Sequence, residues 1–176
     1  MALGVLALVV ISGLFFPTIG SGPEAPEKSG ARNDASQLSV AIKAFYTEYG
    51  RLPEVGAESV PVNRELMAIL TGTDHQQNPR KIVFIEVPVA REKKGRWRFG
   101  IHPESGAWVD PYGNPYSVKF DTDYDGSIPN PYAGSRGDER NIHQLVIVWS
   151  SGQDGIFGNP QKRGERNGSD DILSWQ

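Results

Sequence analysis

The chain contains no cysteine among its 176 residues. This absence excludes disulfides, a thiolate nucleophile, a cysteine-based metal site and a lipid anchor of the lipoprotein type. The Gly-x-Ser-x-Gly, phosphate-loop and dinucleotide-binding signatures are also missing, and His75, His102 and His143 do not have the spacing of metal ligands. We therefore expect a protein that is not an enzyme.

An excess of charge of one sign is missing as well. The net charge is −3 with acidic and basic residues interspersed, which gives no reason to expect a nucleic-acid partner. Twenty glycines and 13 prolines indicate many turns, and a hydrophobic content of 38% is sufficient to fill one core. The sequence thus predicts a single folded domain, which we assign to residues 31–176.

Long apolar runs are scarce, and the one that stands out is Ala2 to Ile19, which carries no charge. Its length is close to the roughly 20 residues that a membrane-spanning helix needs. Two interpretations compete: a transmembrane anchor over residues 1–19, or the apolar region of a signal peptide with a cleavage site near Gly20 and Gly22. The prolines and glycines of residues 20–30 predict a break or hinge after this run.

The clearest amphipathic pattern predicts a helix over residues 34–49. Leu38, Ile42 and Phe45 fall on one face, and Asp34 is placed to cap the helix. Burying each of these apolar side chains is worth roughly 1.5–3 kcal/mol. A lone helix has nothing to bury them against, so a sheet must come from downstream, and the expected fold class is α+β.

The downstream sequence supplies further elements. A short helix is predicted over Arg64 to Leu70 with Asn63 as its cap. Strands are predicted at Lys81 to Val87, at Tyr116 to Phe120 and, in the centre of the sheet, at Leu145 to Trp149. Five basic residues between positions 91 and 98 surround Lys94-Gly95, which we interpret as the turn of a solvated hairpin rather than a phosphate-binding patch.

Two groups of acidic residues are candidates for metal binding. In the first, Asp121, Asp123 and Asp125 precede Gly126, as in the opening of a helix-loop-helix calcium site. The twelfth position of that motif, where a bidentate Glu should close the site, is Tyr132, which excludes the helix-loop-helix interpretation. Calcium in another geometry and a polar strand end with Asx turns both remain open.

The second acidic group consists of Asp154, Asp170 and Asp171, joined by a glycine-rich loop with oxygen-bearing side chains. If the three carboxylates converged to about 4 Å, each pair would cost about 1–4 kcal/mol. Convergence would therefore require a cation, and calcium suits such a loop because it accepts six to eight oxygens, including backbone carbonyls. An acidic loop held only by turns is the alternative.

Several motifs follow one another in an order that resembles a known family. They are Tyr46 to Pro53, Asp110 to Tyr116, Ser150 to Gly155 and Asp170 to Trp175, downstream of the apolar run and Phe16-Pro17. Together they resemble the type IV pilin-like proteins, most closely the major pseudopilins of type II secretion. The family is built from an apolar N-terminal helix and an amphipathic helix packed on a small antiparallel β-sheet, closed by a C-terminal calcium loop.

The resemblance implies a structural role. Such proteins span the bacterial inner membrane once, with the C-terminal domain in the periplasm. They assemble into a homo-oligomeric filament, the pseudopilus, together with other pseudopilins and the inner-membrane secretion machinery. The alternative function is an exported soluble calcium-binding module whose apolar segment is a cleaved signal peptide.

The resemblance also implies a calcium site and bears on the N-terminus of the chain. Asp154, Asp170 and Asp171 match the carboxylate ligands of a Ca²⁺ ion, and Ser151 and Ile156 match positions that contribute backbone carbonyls. The basic leader and the Gly-Phe-Thr-Leu-x-Glu processing site of the family are not present. Aligning Phe16-Pro17 with the family's pattern places that glutamate just ahead of Met1. Either the true start lies upstream, which we favour, or this is a divergent subunit that is not processed.

Overall fold

The computed structural model describes residues 26–56, 59–131, 140–158 and 170–175. The predicted membrane or signal segment, Ala2 to Ile19, and residues 20–25 of the predicted hinge lie outside these ranges. Within them, neither helix combines the length and the apolarity required to cross a membrane.

The described chain contains two helices and ten short strands. In chain order they are α1 Pro26–Tyr49, β1 Ser59–Pro61, α2 Arg64–Leu70, β2 Arg91–Lys93, β3 Arg96–Arg98, β4 Gly100–Ile101, β5 Trp108–Val109, β6 Ser117–Phe120, β7 Ile128–Pro129, β8 Asn141–Ile142, β9 Val146–Ser150 and β10 Ile172–Leu173. The fold is therefore α+β, as predicted.

Helix α1 is longer than predicted. It begins at Pro26 rather than at Asp34, so the prediction of a break across residues 26–30 was wrong. Proline is tolerated in the first turn of a helix because the N–H group it lacks would have no helical partner there. Ala31 and Ala35 are fully buried, which extends the packed face upstream. That packing outweighs the weak helix propensity of the local sequence.

The predicted apolar face of α1 forms the centre of the core. Leu38, Ile42 and Phe45 are fully buried, as expected from their spacing. This face packs against β9 and β10, while the C-terminal end of the helix also approaches α2. The first described element and the last described strand therefore share one core.

The main sheet has four strands in the order β1-β6-β9-β10, and every neighbouring pair is antiparallel. In β6, Val118 and Phe120 are buried whereas Ser117 and Lys119 are half-buried, which confirms the predicted alternation. Strand β9 is paired on both sides, with β6 and β10, which confirms its predicted central place.

The strand predicted at Lys81 to Val87 does not form. Lys81 has a φ of 55°, which interrupts an extended strand at its first residue. The segment instead bonds to the last residue of α2, where the Phe84 N–H donates to the Leu70 carbonyl, and to the loop after α2, where the Asn78 amide donates to the Ile82 carbonyl. Of its β-branched residues only Ile85 is buried, and Val83 is 54% exposed, so the segment is not covered on both faces as a buried strand would be.

Two local predictions are confirmed. Asn63 caps α2 by accepting a hydrogen bond from the Leu66 N–H at 3.0 Å. Strands β2 and β3 form a hairpin around Lys94 and Gly95, with φ values of 53° and 73°. Two consecutive residues with positive φ are typical of the tight turn that matches the twist of a two-stranded ribbon.

Candidate metal centre

The loop that leaves β6 contains the first acidic group. Asp121 follows the last residue of β6, and its N–H donates to the Leu145 carbonyl at 3.0 Å, so the residue remains attached to the edge of β9. Only 3% of Asp121 is exposed. The chain then turns at Tyr124 and Gly126, which have φ values of 57° and 81°.

The turn brings the three carboxylates of this loop together. One oxygen from each of Asp121, Asp123 and Asp125 lies within 4.8 Å of the other two. Calcium binds oxygen at 2.3–2.6 Å, so two ligands of one ion are at most about 5 Å apart. The three carboxylates could therefore hold one metal ion in the positions they already occupy.

The electrostatics of this group favour a cation. Oδ2 of Asp121 accepts the Gly126 N–H at 2.9 Å, but Oδ1 is buried and has no hydrogen-bond partner among the described residues. Burial raises the pKa of Asp121, and the carboxylates of Asp123 and Asp125 raise it further, whereas the Gly126 N–H opposes the shift. No lysine or arginine of the described ranges forms an ion pair with these aspartates.

A surface cavity of about 270 Å³ adjoins Asp121. Its walls include Tyr46 of α1, Tyr124 of the acidic loop and His143, whose Nδ1 lies 3.3 Å from the Gly126 carbonyl oxygen. Asp123 and Asp125 are exposed, so the acidic group is open to water on the other side. Both the cavity and the exposed side give water access to an ion bound there.

The second acidic group lies beside β10. Asp170 and Asp171 immediately precede this strand and are buried. Oδ2 of Asp170 accepts the N–H groups of Gln153 and Asp154 at 2.7 and 3.0 Å, and Oδ2 of Asp171 accepts the Gly158 N–H at 2.8 Å. The structure thus brings both aspartates against the loop that contains Asp154.

Asp154 itself faces its own turn, where Oδ1 accepts the Ile156 N–H at 2.8 Å. Asp154, Asp170 and Asp171 are not among the described groups of three whose oxygens all lie within 4.8 Å. Ser151 is half-buried and Ile156 is exposed. Residues 159–169, which include other candidate oxygen ligands, lie outside the described ranges, so the ligand set of this loop stays a prediction.

Gly152 shows how closely this loop packs. A side-chain carbon at this position would collide with the carbonyl group of Asp170, and the residue has a φ of 61°. Its own carbonyl accepts a hydrogen bond from the Asn114 amide. Glycine is therefore required where the loop crosses the segment before β10.

Two hydrogen-bonded pairs of polar side chains, Asp34 with Tyr116 and Asp110 with Ser150, were not predicted from the sequence. Asp34 is not a cap but lies inside α1, where its Oδ2 accepts the Tyr116 hydroxyl at 3.2 Å. Oδ2 of Asp110 accepts the Ser150 hydroxyl, and Oδ1 of Asp110 accepts the backbone N–H groups of Tyr112 and Asn114. One signal was available: Asp34 lies four residues before Leu38 and so shares its buried face.

No family model, curated protein or solved structure matches the chain. The basis for assigning a function is therefore the residues of the two acidic groups and the architecture that positions them.

Proposed function

We propose that this protein is a structural subunit of a type II secretion pseudopilus, a pilin-like filament that takes part in protein secretion. The observation that carries this proposal is helix α1. It has 24 residues, follows the apolar run of the sequence and buries one face on β9 and β10. A filament subunit of this kind needs such a helix to join an apolar assembly segment to a folded head.

The two faces of α1 support the assignment of assembly to the apolar segment and of a water-exposed domain to the rest of the chain. Its buried face is apolar, whereas the opposite face near its start is exposed and polar, with Arg32, Asn33, Ser36 and Gln37. A helix with these faces fits a water-exposed domain. The uncharged segment Ala2 to Ile19 would then supply the contacts in the inner membrane and between subunits, where apolar helices associate by close packing.

The proposal includes a calcium ion in the C-terminal loop, bound by Asp154, Asp170 and Asp171 with the carbonyls of Ser151 and Ile156. Its support is the burial of two adjacent carboxylates, Asp170 and Asp171, against a loop that supplies further oxygens. Burying adjacent negative charges is unfavourable unless they are hydrogen-bonded or bound to a cation. Calcium would also join the two ends of a glycine-rich loop.

The test is the exact N-terminus of the mature protein from its native host, measured by intact mass and N-terminal peptide mapping. The proposal predicts a processed chain that retains the apolar segment, carries a methylated N-terminal residue and stays in the membrane fraction after alkaline extraction. Retention follows because an uncharged segment of this length prefers the bilayer to water.

A mature chain that begins near Pro23 and is released in soluble form would contradict the filament. That result would instead favour the exported soluble calcium-binding module. A charge placed in the middle of the apolar run provides the control. Val9→Asp should release the chain from membranes if the run is the anchor, because a carboxylate at the centre of a spanning helix costs about 2.5–3.5 kcal/mol.

A further inference from the structure

We propose that Asp121, Asp123 and Asp125 bind one calcium ion, and that this ion fixes Tyr124 against the C-terminal end of α1. The site is separate from the C-terminal loop beside β10. It does not depend on whether the protein forms a filament.

The donors are already arranged around one position. The three carboxylate oxygens lie within the distance that one calcium ion spans. Gly126, with a φ of 81°, turns the chain directly after the third aspartate. Little movement of the backbone is therefore required to bring the three oxygens around one ion.

The buried oxygen of Asp121 points independently to a ligand. The residue is 3% exposed, and its Oδ1 is buried with no hydrogen-bond partner among the described residues. A buried charged oxygen without a partner is strongly unfavourable. Because no described lysine or arginine forms an ion pair with the group, a bound cation is the partner that satisfies it.

The donor set selects calcium among the common cations. All three donors are carboxylates, which suit hard cations, whereas transition metals favour sites with nitrogen or sulfur ligands. Magnesium requires near-octahedral geometry at 2.0–2.1 Å, while calcium accepts six to eight oxygens at variable angles. Waters from the exposed side and from the adjoining cavity of about 270 Å³ can complete the larger shell.

Tyr124, which lies between two of the ligands, links the ion to α1. Its ring stacks on Tyr46 of α1 with centroids 5.9 Å apart and planes inclined by 30°. Its hydroxyl accepts the N–H of Leu52, just beyond the helix, at 3.1 Å. An ion held by the residues on either side of Tyr124 therefore restrains the contacts of Tyr124 with α1.

The experiment measures calcium binding to the full chain in detergent micelles by isothermal titration calorimetry and equilibrium dialysis. Asp123→Asn/Asp125→Asn removes two ligand charges from exposed positions, so folding is retained. Its control, Glu86→Gln/Glu104→Gln, removes two exposed charges elsewhere. We expect the aspartate variant to bind one calcium fewer per chain, or to bind it at least tenfold more weakly, and the control to match the parent.

The stoichiometry separates this site from the C-terminal loop. If the C-terminal loop binds no calcium, the parent should bind one ion per chain and the aspartate variant none. If the C-terminal loop does bind calcium, the parent should bind two ions per chain and the aspartate variant one. An aspartate variant that binds calcium with the parent's count and affinity would overturn the proposal, whatever the outcome for the filament.

Hydrogen exchange tests the link to α1. In the parent, calcium should slow exchange of the Leu52 amide at least tenfold, and it should have no such effect in the aspartate variant. Tyr124→Phe should bind calcium as the parent does but lose the protection of Leu52, because the accepting hydroxyl is gone. Leu52 exchange that is indifferent to calcium in the parent would overturn the link.

Discussion

Half-buried Asp34 and fully buried Asp110 show how single residues set the response of this fold to pH. Burial raises the pKa of both carboxyls above the ordinary value of 3.8, while the hydroxyls of Tyr116 and Ser150 oppose the shift. A carboxyl with a raised pKa in the folded state binds protons more readily when folded than when unfolded. The free energy of unfolding therefore falls as pH rises from 3.8 through the raised pKa, and acidification over that window restores it.

Asp34→Asn tests this assignment. The asparagine keeps an oxygen that can accept the Tyr116 hydroxyl, but it cannot ionise. We expect the variant to be at least as stable as the parent at pH 7 and to lose less stability between about pH 4 and pH 7. Urea unfolding of the full chain at a series of pH values, in a metal chelator, measures both quantities.

Tyr116→Phe is the matched control, because it retains the buried ring and removes only the hydroxyl. The loss of its hydrogen bonds should lower the free energy of unfolding by about 1 kcal/mol. It should also steepen the pH dependence, since the hydroxyl lowers the pKa of Asp34. If the free energy of unfolding changed with pH to the same extent in the parent, Asp34→Asn and Tyr116→Phe, the role given to Asp34 would be contradicted.

At the scale of elements, α1 contributes more buried side chains to the main core than any other helix or strand. The helix packs through Leu38, Ile42 and Phe45, and its opposite face includes Val40, which is 62% exposed. Val40 and Ile42 are both aliphatic and lie two positions apart on α1, but Val40 is exposed and Ile42 is fully buried. That contrast provides a direct measure of how much the covering sheet contributes.

Ile42→Ala should lower the free energy of unfolding by about 2–5 kcal/mol, because it removes apolar contacts and leaves a cavity at a fully buried position. Val40→Ala removes exposed carbon atoms and should change stability by no more than about 0.5 kcal/mol. Chemical unfolding followed by circular dichroism compares the two. Similar losses for both variants would mean that the sheet does not cover this face of α1.

Elements with their own local signal could be predicted from the sequence. The stripe of α1, the Asn63 cap, the Lys94-Gly95 turn and the alternation in β6 each depend on a few neighbouring residues, and all were confirmed. The strand at Lys81 to Val87 was wrong because a strand also needs a partner, and composition does not show whether one is available.

The candidate metal site at Asp121, Asp123 and Asp125 could likewise be predicted only in its local features. The spacing of Asp121, Asp123 and Asp125 is visible in the sequence and indicates oxygen ligands near a sharp turn. The burial of Asp121 is not visible, because it accompanies a contact with a segment distant in sequence, where its N–H donates to the Leu145 carbonyl. The hydrogen bond between Asp34 and Tyr116 was missed for a similar reason, since Tyr116 lies far from Asp34 in the sequence.

At the scale of the whole molecule, two acidic loops are attached to the same sheet. One leaves β6 and continues to Tyr124 and α1, and the other lies against the residues just before β10. Since β6 and β10 are the two neighbours of β9, an ion in either loop would stabilise the main sheet.

Calcium should therefore raise the melting temperature of the full chain. An ion present at 100 times its dissociation constant adds about 2.7 kcal/mol, which corresponds to roughly 5–10 °C for a chain of this size. Asp154→Ala or Asp171→Ala should lower the melting temperature in calcium and abolish the part of the shift that comes from the C-terminal loop. Differential scanning calorimetry with calcium or with a chelator makes the comparison.

Asp123→Asn/Asp125→Asn should remove the remaining part of the shift, and the combined variant should melt at the same temperature with and without calcium. A parent whose melting temperature does not respond to calcium would contradict both sites at once.

The pairing of α1 with β9 and β10 also determines the order in which the fold can be completed. The helix is synthesised first, but the strands that cover it, β9 and β10, come from the last part of the described chain, so its apolar face is not fully covered until the ribosome has passed Leu173. Contacts this distant in sequence close slowly. During that interval the nascent chain exposes the stripe of α1, and a chaperone or a membrane surface could bind it before the sheet does.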